Sequence, residues 1–347
     1  AYQTRRKFPD RRVCLTGEII HNPHVNAKLR ASGICFLDDP GVSPDSLGPD
    51  DVVILPAFGV TIAQLTAFDR QGCTLVDTTC GSVLNVWKNV TRYAQDGFTA
   101  VIHGKVHHEE TRATASQALT YPNGRYLVVL DKDEAGLVCD YIRRGGDRAA
   151  FLAKFGPASS EGFDPERDLQ HVGLANQTTM LMSESLEIGE MFRQAMLDRY
   201  GEEALGSRFR AFDTICSATQ DRQDAVLALL DEHPLDVMVV VGGYNSSNTC
   251  NLANICAERV PTYHIAEPSC LVSADEIRYR PVTPPGSARL KVSETAATGR
   301  LPIAAAICRP MLPRPPPAPQ TSTTSPGWQL ISIALSRSSA RPFSVKP

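Results

Sequence analysis

Two cysteines carry the most specific chemistry in this chain. Cys216 lies in Phe212-Asp-Thr-Ile-Cys-Ser-Ala-Thr-Gln, where a short polar turn hands over to a helix with Ala225, Leu229 and Leu230 at helical spacing. Backbone N–H groups at a helix start have no intrahelical acceptor, so they favour a thiolate, which is both a nucleophile and a metal ligand. The same device occurs earlier as Asp77-Thr78-Thr79-Cys80, followed by a helical run from Val83 to Ala94. Both copies then reach an apolar strand ending in glycine, Thr99 to Gly104 and Val237 to Gly243. Two D-T-x-C units, each followed by helix and strand, read as a repeated α/β module.

Other polar clusters stand at predicted strand ends. His103-Gly-Lys-Val-His-His-Glu-Glu-Thr111 sets two adjacent histidines beside two carboxylates. It could be a metal cluster, a diphosphate grip with a proton donor, or an exposed helix start. Adjacent His107 and His108 would point in different directions on a helix, which argues against metal. Asn176-Gln-Thr-Thr179 sets hydroxyls after the strand His171 to Ala175. Gly242-Gly-Tyr-Asn-Ser-Ser-Asn-Thr249 precedes a helix expected over Leu252 to Arg259. Glycines, hydroxyls and amides there suit an anion, because N–H groups and short donors converge; an ordinary polar turn is the alternative. His21, in His-Asn-Pro-His-Val-Asn, reads equally well as a loop histidine at a strand end.

The elements that must position these groups alternate. Strands are expected at Arg12–Ile20, Ile34–Leu37, Asp51–Leu55, Thr74–Val76, Tyr126–Leu130 and Pro261–Ile265, with helices at Tyr2–Phe8, Asn26–Ser32, Ile62–Gln71, Asp133–Arg143 and Met182–Tyr200. Such alternation argues parallel sheets with helices on their faces and ligands beyond the carboxyl ends of the strands. Gly145 to Arg167, rich in glycine, proline and charge, reads as an inserted surface loop. Leu301 to Pro347 has no Asp or Glu, is dense in proline, serine and arginine, and shows no helical or strand period apart from Trp328 to Leu335. It reads as a disordered or non-native tail.

Whole-chain properties narrow the class. With 347 residues the chain can bury a large core in two or three domains. A composition 42% hydrophobic and 21% charged is ordinary for globular proteins. A net charge of -3 gives no basic footprint for nucleic acid. No apolar run approaches the roughly 18 to 20 residues of a membrane helix. Ten irregularly spaced cysteines suit an intracellular α/β protein with a few metal-ligating or reactive thiols better than a disulfide scaffold.

Seven stretches, in order over roughly residues 1 to 280, together resemble one family: Glu18–Asn26 (EIIHNPHVN), Val52–Thr61 (VVILPAFGVT), Val76–Cys80 (VDTTC), Ile102–Thr111 (IHGKVHHEET), Ala175–Met180 (ANQTTM), Phe212–Ala225 (FDTICSATQDRQDA) and Val240–Thr249 (VVGGYNSSNT). The family is the LytB-type iron–sulfur reductases, the 4-hydroxy-3-methylbut-2-enyl diphosphate reductases that end the non-mevalonate isoprenoid pathway. The LPAFG form, with Phe58 where many members carry histidine, resembles the plant and cyanobacterial branch.

The resemblance implies three similar α/β modules around a pseudo-threefold axis with a central metal-cluster cavity, here 1–79, 80–212 and 213–300, before the tail 301–347. It implies a 4Fe–4S cluster, with Cys80 and Cys216 as two of its three cysteine ligands. It assigns diphosphate binding to His21, His108, Ser246, Ser247 and Asn248, the proton source to Glu110 and the proton relay to Thr178. It implies an allylic diphosphate substrate and electrons from ferredoxin, flavodoxin or an NADPH-linked donor. It further implies a cytoplasmic setting, or the plastid stroma for a plant-type source.

The chain also departs from the family pattern. The first cluster cysteine, in a Gly-Phe-Cys motif, is expected upstream of Ala1, and Cys14, inside a strand, does not replace it by motif. Gly81 and Ser82 stand where a proline and an aromatic residue often follow the second cysteine. The closing strand and its Gly-Ala-Ser loop are not recognisable after Val282, and the tail resembles an out-of-frame translation. Two functions follow: the reductase itself, or a non-catalytic remnant that binds diphosphate or holds another metal through two cysteines.

Overall fold

The computed structural model describes residues 1–212, 216–273 and 276–282, and the backbone of 297–300 and 332–335. Asp213, Thr214 and Ile215 lie outside the described residues, as does most of the expected tail. The chain divides into two compact units, Ala1–Ile20 with Val25–Gln220, and His21–His24 with Asp221–Pro347.

The first unit begins with α1 (Tyr2–Lys7), β1 (Val13–Leu15), α2 (Pro23–Ala31), β2 (Cys35–Phe36), β3 (Val52–Leu55), α3 (Ile62–Gln71) and β4 (Thr74–Asp77). Its strands form a parallel sheet in the order β2-β1-β3-β4. Val13, Leu15, Val52 and Ile54 feed one apolar cluster, while Cys14, Val53 and Leu55 feed another. This alternation follows from successive side chains pointing to opposite faces of a strand, and both faces are covered, as parallel sheets require. The strand expected over Arg12–Ile20 is confined to three residues, and the chain turns beyond it towards Pro23. Cys14 and Cys35, opposite each other on β1 and β2, form a disulfide.

A second parallel sheet follows: α4 (Gly81–Gln95), β5 (Thr99–His103), α5 (Glu109–Ala118), β6 (Arg125–Val129), α6 (Lys132–Arg144), α7 (Arg148–Phe155), α8 (Pro165–Asp168), β7 (Val172–Asn176), α9 (Met182–Tyr200), α10 (Glu202–Arg208) and β8 (Phe209–Ala211), with strand order β6-β5-β7-β8. Ala100, Ile102 and Val128 pack against Val86, Val90 and Tyr93 of α4 and Ala115 of α5. Val101, Leu127 and Leu174 face Val138, Ile142, Ile188 and Phe192 of α6 and α9. Gly173 in β7 is needed for this packing: a Cβ there would sit 2.4 Å from the Tyr93 ring, whose hydroxyl donates to the Leu174 carbonyl at 2.9 Å.

The segment Gly145–Arg167 is not a surface loop. Asp147 caps α7 by accepting from the Ala149 and Ala150 N–H groups, and Asp164 caps α8. Phe151, Phe155 and Phe163 enter the same apolar cluster as α6 and α9. Its glycines and prolines punctuate short helices, while its phenylalanines anchor them. The short α10 and β8 were also not evident from sequence.

The second unit contains most of α11 (Ser217–Glu232), then β9 (Val237–Val241), α12 (Ser247–Ala257), β10 (Thr262–Ile265), β11 (Glu276–Tyr279), β12 (Ala297–Arg300) and β13 (Ser332–Leu335). β10 pairs parallel to β9, β13 pairs antiparallel on the other edge of β9, and β11 and β12 form an antiparallel pair. Met238 and Val240 pack on Leu252, Ala253 and Cys256 of α12 and Val226 of α11; Val239, Ile265 and Ile277 fill the opposite face. Within the expected tail, residues 332–335 thus take regular structure, and the remainder lies outside the described residues. Among the described residues the strands form four sheets, three of which combine strands with helices, an α/β fold with mainly parallel strands.

Because Phe155 is 2% exposed in the α6–α9 cluster, Phe155→Ala should cost about 3–5 kcal/mol in urea unfolding. A change under about 0.5 kcal/mol, the usual result at a surface loop, would contradict the packing of α7.

Candidate active site

Cys80 is the N-cap residue of α4, and its side chain makes no capping bond. The turn that delivers it is tightly held. The Asp77 carboxylate accepts from the Thr79 N–H at 2.8 Å and from the Thr79 hydroxyl at 2.5 Å, the Thr78 hydroxyl donates to the Leu55 carbonyl, and the Cys80 N–H donates to the Ala57 carbonyl at 2.7 Å. The Asp and Thr of D-T-x-C therefore fix the backbone that presents the thiol, a role that the spacing alone did not reveal. Cys80 is exposed, and Cys216, immediately before α11, is half-buried. The Cys216 carbonyl starts that helix by accepting from Thr219 and Gln220.

A chain of hydrogen bonds runs through the first unit from Cys216. Its N–H donates to the Thr178 carbonyl at 3.4 Å, the Thr178 N–H donates to the Glu110 carboxylate at 2.6 Å, and the Glu110 N–H donates to Nδ1 of His108 at 3.2 Å. His108 is the N-cap of α5, so its Nδ1 is the unprotonated nitrogen and a neutral ring carries its proton on Nε2. Phe58 meets the His108 ring edge-on at 6.0 Å and follows Ala57, the residue that holds the Cys80 N–H. His107 and Glu109 are exposed, whereas His108 is half-buried and Glu110 is 3% exposed. The two acidic neighbours thus differ completely in environment. Burial pushes the Glu110 carboxyl up to about 7, against the opposing effect of backbone and side-chain hydrogen bonds from Thr178. A carboxyl with that midpoint can hold a proton near neutral pH and release it.

In the second unit, α12 starts at Ser247, five residues before the start expected from sequence. Ser246 is its N-cap, accepting from the Thr249 N–H at 3.3 Å; Ser247 and Asn248 therefore occupy the first turn, where an anion is favoured. Oδ1 of Asn248 is buried without a hydrogen-bond partner among the described residues. The approach to this turn is crowded. A Cβ at Gly243 would lie 1.7 Å from the His21 carbonyl oxygen, and one at Gly242 would lie 2.5 Å from Oγ1 of Thr249. Only glycine fits at either position, and His21 is thereby held beside the loop of Ser246 and Asn248. The Gly242 carbonyl also meets Nε2 of the buried His264 at 3.0 Å.

The structure thus joins His108, Glu110, Thr178 and Cys216 in one unit, with Cys80 linked to His108 through Ala57 and Phe58. It gathers His21, Ser246, Ser247 and Asn248 in the other. Two thiols at helix starts, neither of them buried, fit the donor chemistry of a metal cluster. Cys14 is excluded as a further ligand here by its bond to Cys35.

The LytB protein family matches residues 1–288. A 4-hydroxy-3-methylbut-2-enyl diphosphate reductase of Thermosynechococcus vestitus is 50% identical over 285 residues, covering 81% of this chain and 69% of that protein. One from Gloeobacter violaceus is 52% identical over 287 residues, covering 81% and 67%. Among solved structures, the Plasmodium falciparum E-1-hydroxy-2-methyl-but-2-enyl-4-diphosphate reductase superposes with a TM-score of 0.55 at 20% identity, covering 78% of this chain and 73% of that one. An (E)-4-hydroxy-3-methyl-but-2-enyl diphosphate reductase superposes at 0.50 with 24% identity, covering 78% and 82%. The chain belongs to the LytB family.

The Glu110 environment has a thermodynamic signature. A carboxyl raised from about 4.5 to about 7 on folding binds more protons in the native state between those values. Its contribution to stability is therefore greatest at the acidic end and is lost as pH rises through about 7, by on the order of 3 kcal/mol. Glu110→Gln should remove this decline, so that the variant gains on the wild type between pH 5 and 8 in urea unfolding. A difference between the two proteins that does not change with pH would show that Glu110 is solvated.

Proposed function

We propose that this protein is a 4-hydroxy-3-methylbut-2-enyl diphosphate reductase, which removes the allylic hydroxyl reductively to give isopentenyl and dimethylallyl diphosphate. The observation that carries the reading is the buried Glu110, bonded to Thr178 and adjacent to His108, on a hydrogen-bonded path that reaches Cys216. Family membership over residues 1–288 supports the substrate and the reaction.

The net reaction takes two electrons and two protons and releases water. Cys80 and Cys216 would hold an iron–sulfur cluster, which when bound supplies electrons and a Lewis-acidic iron. The remaining tasks fall to other side chains. His21, Ser246, Ser247 and Asn248 bind the diphosphate through a helix start and short donors, and His108 adds a ring N–H. This grip fixes the charged tail away from the reacting carbon. Glu110, protonated near neutrality by its burial, gives its proton to the departing hydroxyl, and the Thr178 hydroxyl relays it. The backbone N–H of Thr178 then stabilises the carboxylate that remains. Ferredoxin, flavodoxin or an NADPH-linked carrier serves as electron donor in this scheme.

Two experiments test the reading. Anaerobic reconstitution with iron and sulfide should produce visible absorbance that Cys216→Ser abolishes. A colourless protein that retains only zinc would support a non-catalytic two-cysteine site instead. In cluster-loaded protein, Glu110→Gln should lower turnover by about 10²–10⁴-fold while KM changes little, because the diphosphate is held by other residues. His108 removal should do the reverse and raise KM more than it lowers kcat. Turnover of the Glu110→Gln protein close to wild type would end the proton-donor assignment.

A further inference from the structure

Glu110 lies in the first turn of α5, just past the β5–α5 loop, and Thr178 lies in the β7–α9 loop, so a proton path between them depends on the distance between these segments. One buried side chain bonds to both. Gln177 is 1% exposed; its Oε1 accepts from the Lys105 N–H and from the Thr111 hydroxyl, each at 3.2 Å, and its Nε2 donates to Oγ1 of Thr179 at 2.9 Å. The backbone N–H donor at Lys105 fixes which end of the amide points where. The main chain of Gln177 is tied as well, its N–H donating to the His103 carbonyl at 2.8 Å and its carbonyl accepting from Met180. Lys105 in turn accepts from the His108 N–H at 2.9 Å, which carries the tie to the start of α5. Gly104 completes the fit: a Cβ there would sit 2.9 Å from Oγ1 of Thr111 and 3.0 Å from Cβ of Gln177.

We propose that Gln177 is a positioning residue for proton delivery: its buried amide holds His108 and the start of α5, with Glu110, at a fixed distance from the loop carrying Thr178. The inference deepens the reductase reading and rests on it for its consequence in turnover, but the mechanical tie stands apart from that reading. The Gln177 amide bonds to Lys105, Thr111 and Thr179. Its effect is exerted through the Thr178–Glu110 contact, whose length it sets from both sides. A side chain of equal length without hydrogen bonds would fill the space and release the loops.

The test compares wild type with Gln177→Met and Thr111→Val in two measurements. In amide hydrogen exchange of the full chain, Gln177→Met should lose protection at Lys105 and Thr178 while Val101, inside β5, stays protected. In cluster-loaded protein with a reduced viologen as electron donor, kcat should fall about 10–100-fold with KM within about twofold, since loosened geometry costs rate more than binding. Thr111→Val, which removes one of the accepted bonds, should show a smaller effect of the same pattern, and it decides the matter if Gln177→Met does not fold. Unchanged exchange at Lys105 and Thr178 would overturn the tie. Loss of exchange protection with kcat intact, or a rise in KM alone, would overturn the role in proton delivery. If wild-type, cluster-loaded protein reduces no substrate, the reductase reading fails, and the exchange result alone decides what Gln177 holds.

Discussion

The contact on which the site depends is the 2.6 Å bond from the Thr178 N–H to the Glu110 carboxylate. It joins the carboxyl ends of two neighbouring parallel strands, β5 and β7, where a doubly covered sheet leaves helix starts and loops free for chemistry. Desolvation pushes the proton onto Glu110, while the Thr178 bond draws it off. Removing either influence would leave an ordinary acid or one too weak to give up its proton. The rest of the first unit can be understood as a frame for this balance. α4 and α5 cover one face of the sheet, and α6 and α9 cover the other.

The sulfur-bearing turns obey a different constraint. Cys80 is exposed, so no apolar core positions it. Cys80 is instead positioned through its backbone: Asp77 and Thr78 absorb the hydrogen-bonding capacity of the turn, and the Ala57 carbonyl takes the Cys80 N–H. Phe58, next to Ala57, lies against His108. A change in the β3–α3 turn would therefore reach both the thiol and the histidine. At the other end of the chain, glycine does comparable work. Gly242 and Gly243 admit the Thr249 hydroxyl and the His21 carbonyl so closely that no side chain could be accommodated.

Much of the framework was legible because its local signals agreed. α3 occupies Ile62–Gln71 as expected, set by the Thr61–Gln64 capping box and by Gly72 in the left-handed conformation. α9 likewise follows its apolar period from Met182 to Tyr200. Gly145–Arg167 was misread because its glycines, prolines and charges masked Phe151 and Phe155, which stand at i, i+4 on α7 and enter the core together with Phe163. α12 was expected late because Ser246 to Asn248 look like loop residues until the capping serine is seen. Within the candidate site, the D-T-x-C repeat singled out both cysteines, and each stands at a helix start. The pairing of Glu110 with Thr178 came only through the family resemblance, and the bridging by Gln177 was not anticipated, because these contacts join residues 68 and 66 positions apart through the adjacency of β5 and β7. Neither local propensity nor periodicity carries that information.

The direction of one edge strand has a practical consequence. β9, Val-Met-Val-Val-Val, is among the most apolar strands in the chain, and its two edges are occupied by β10 and by β13, which comes from almost a hundred residues further on. An open edge on such a strand offers a row of unsatisfied N–H and C=O groups to any other extended chain. A protein shortened before Ser332 would therefore keep every residue discussed for catalysis and yet carry a sticky edge. Its difficulty would be self-association through β9 during expression, rather than any defect in chemistry.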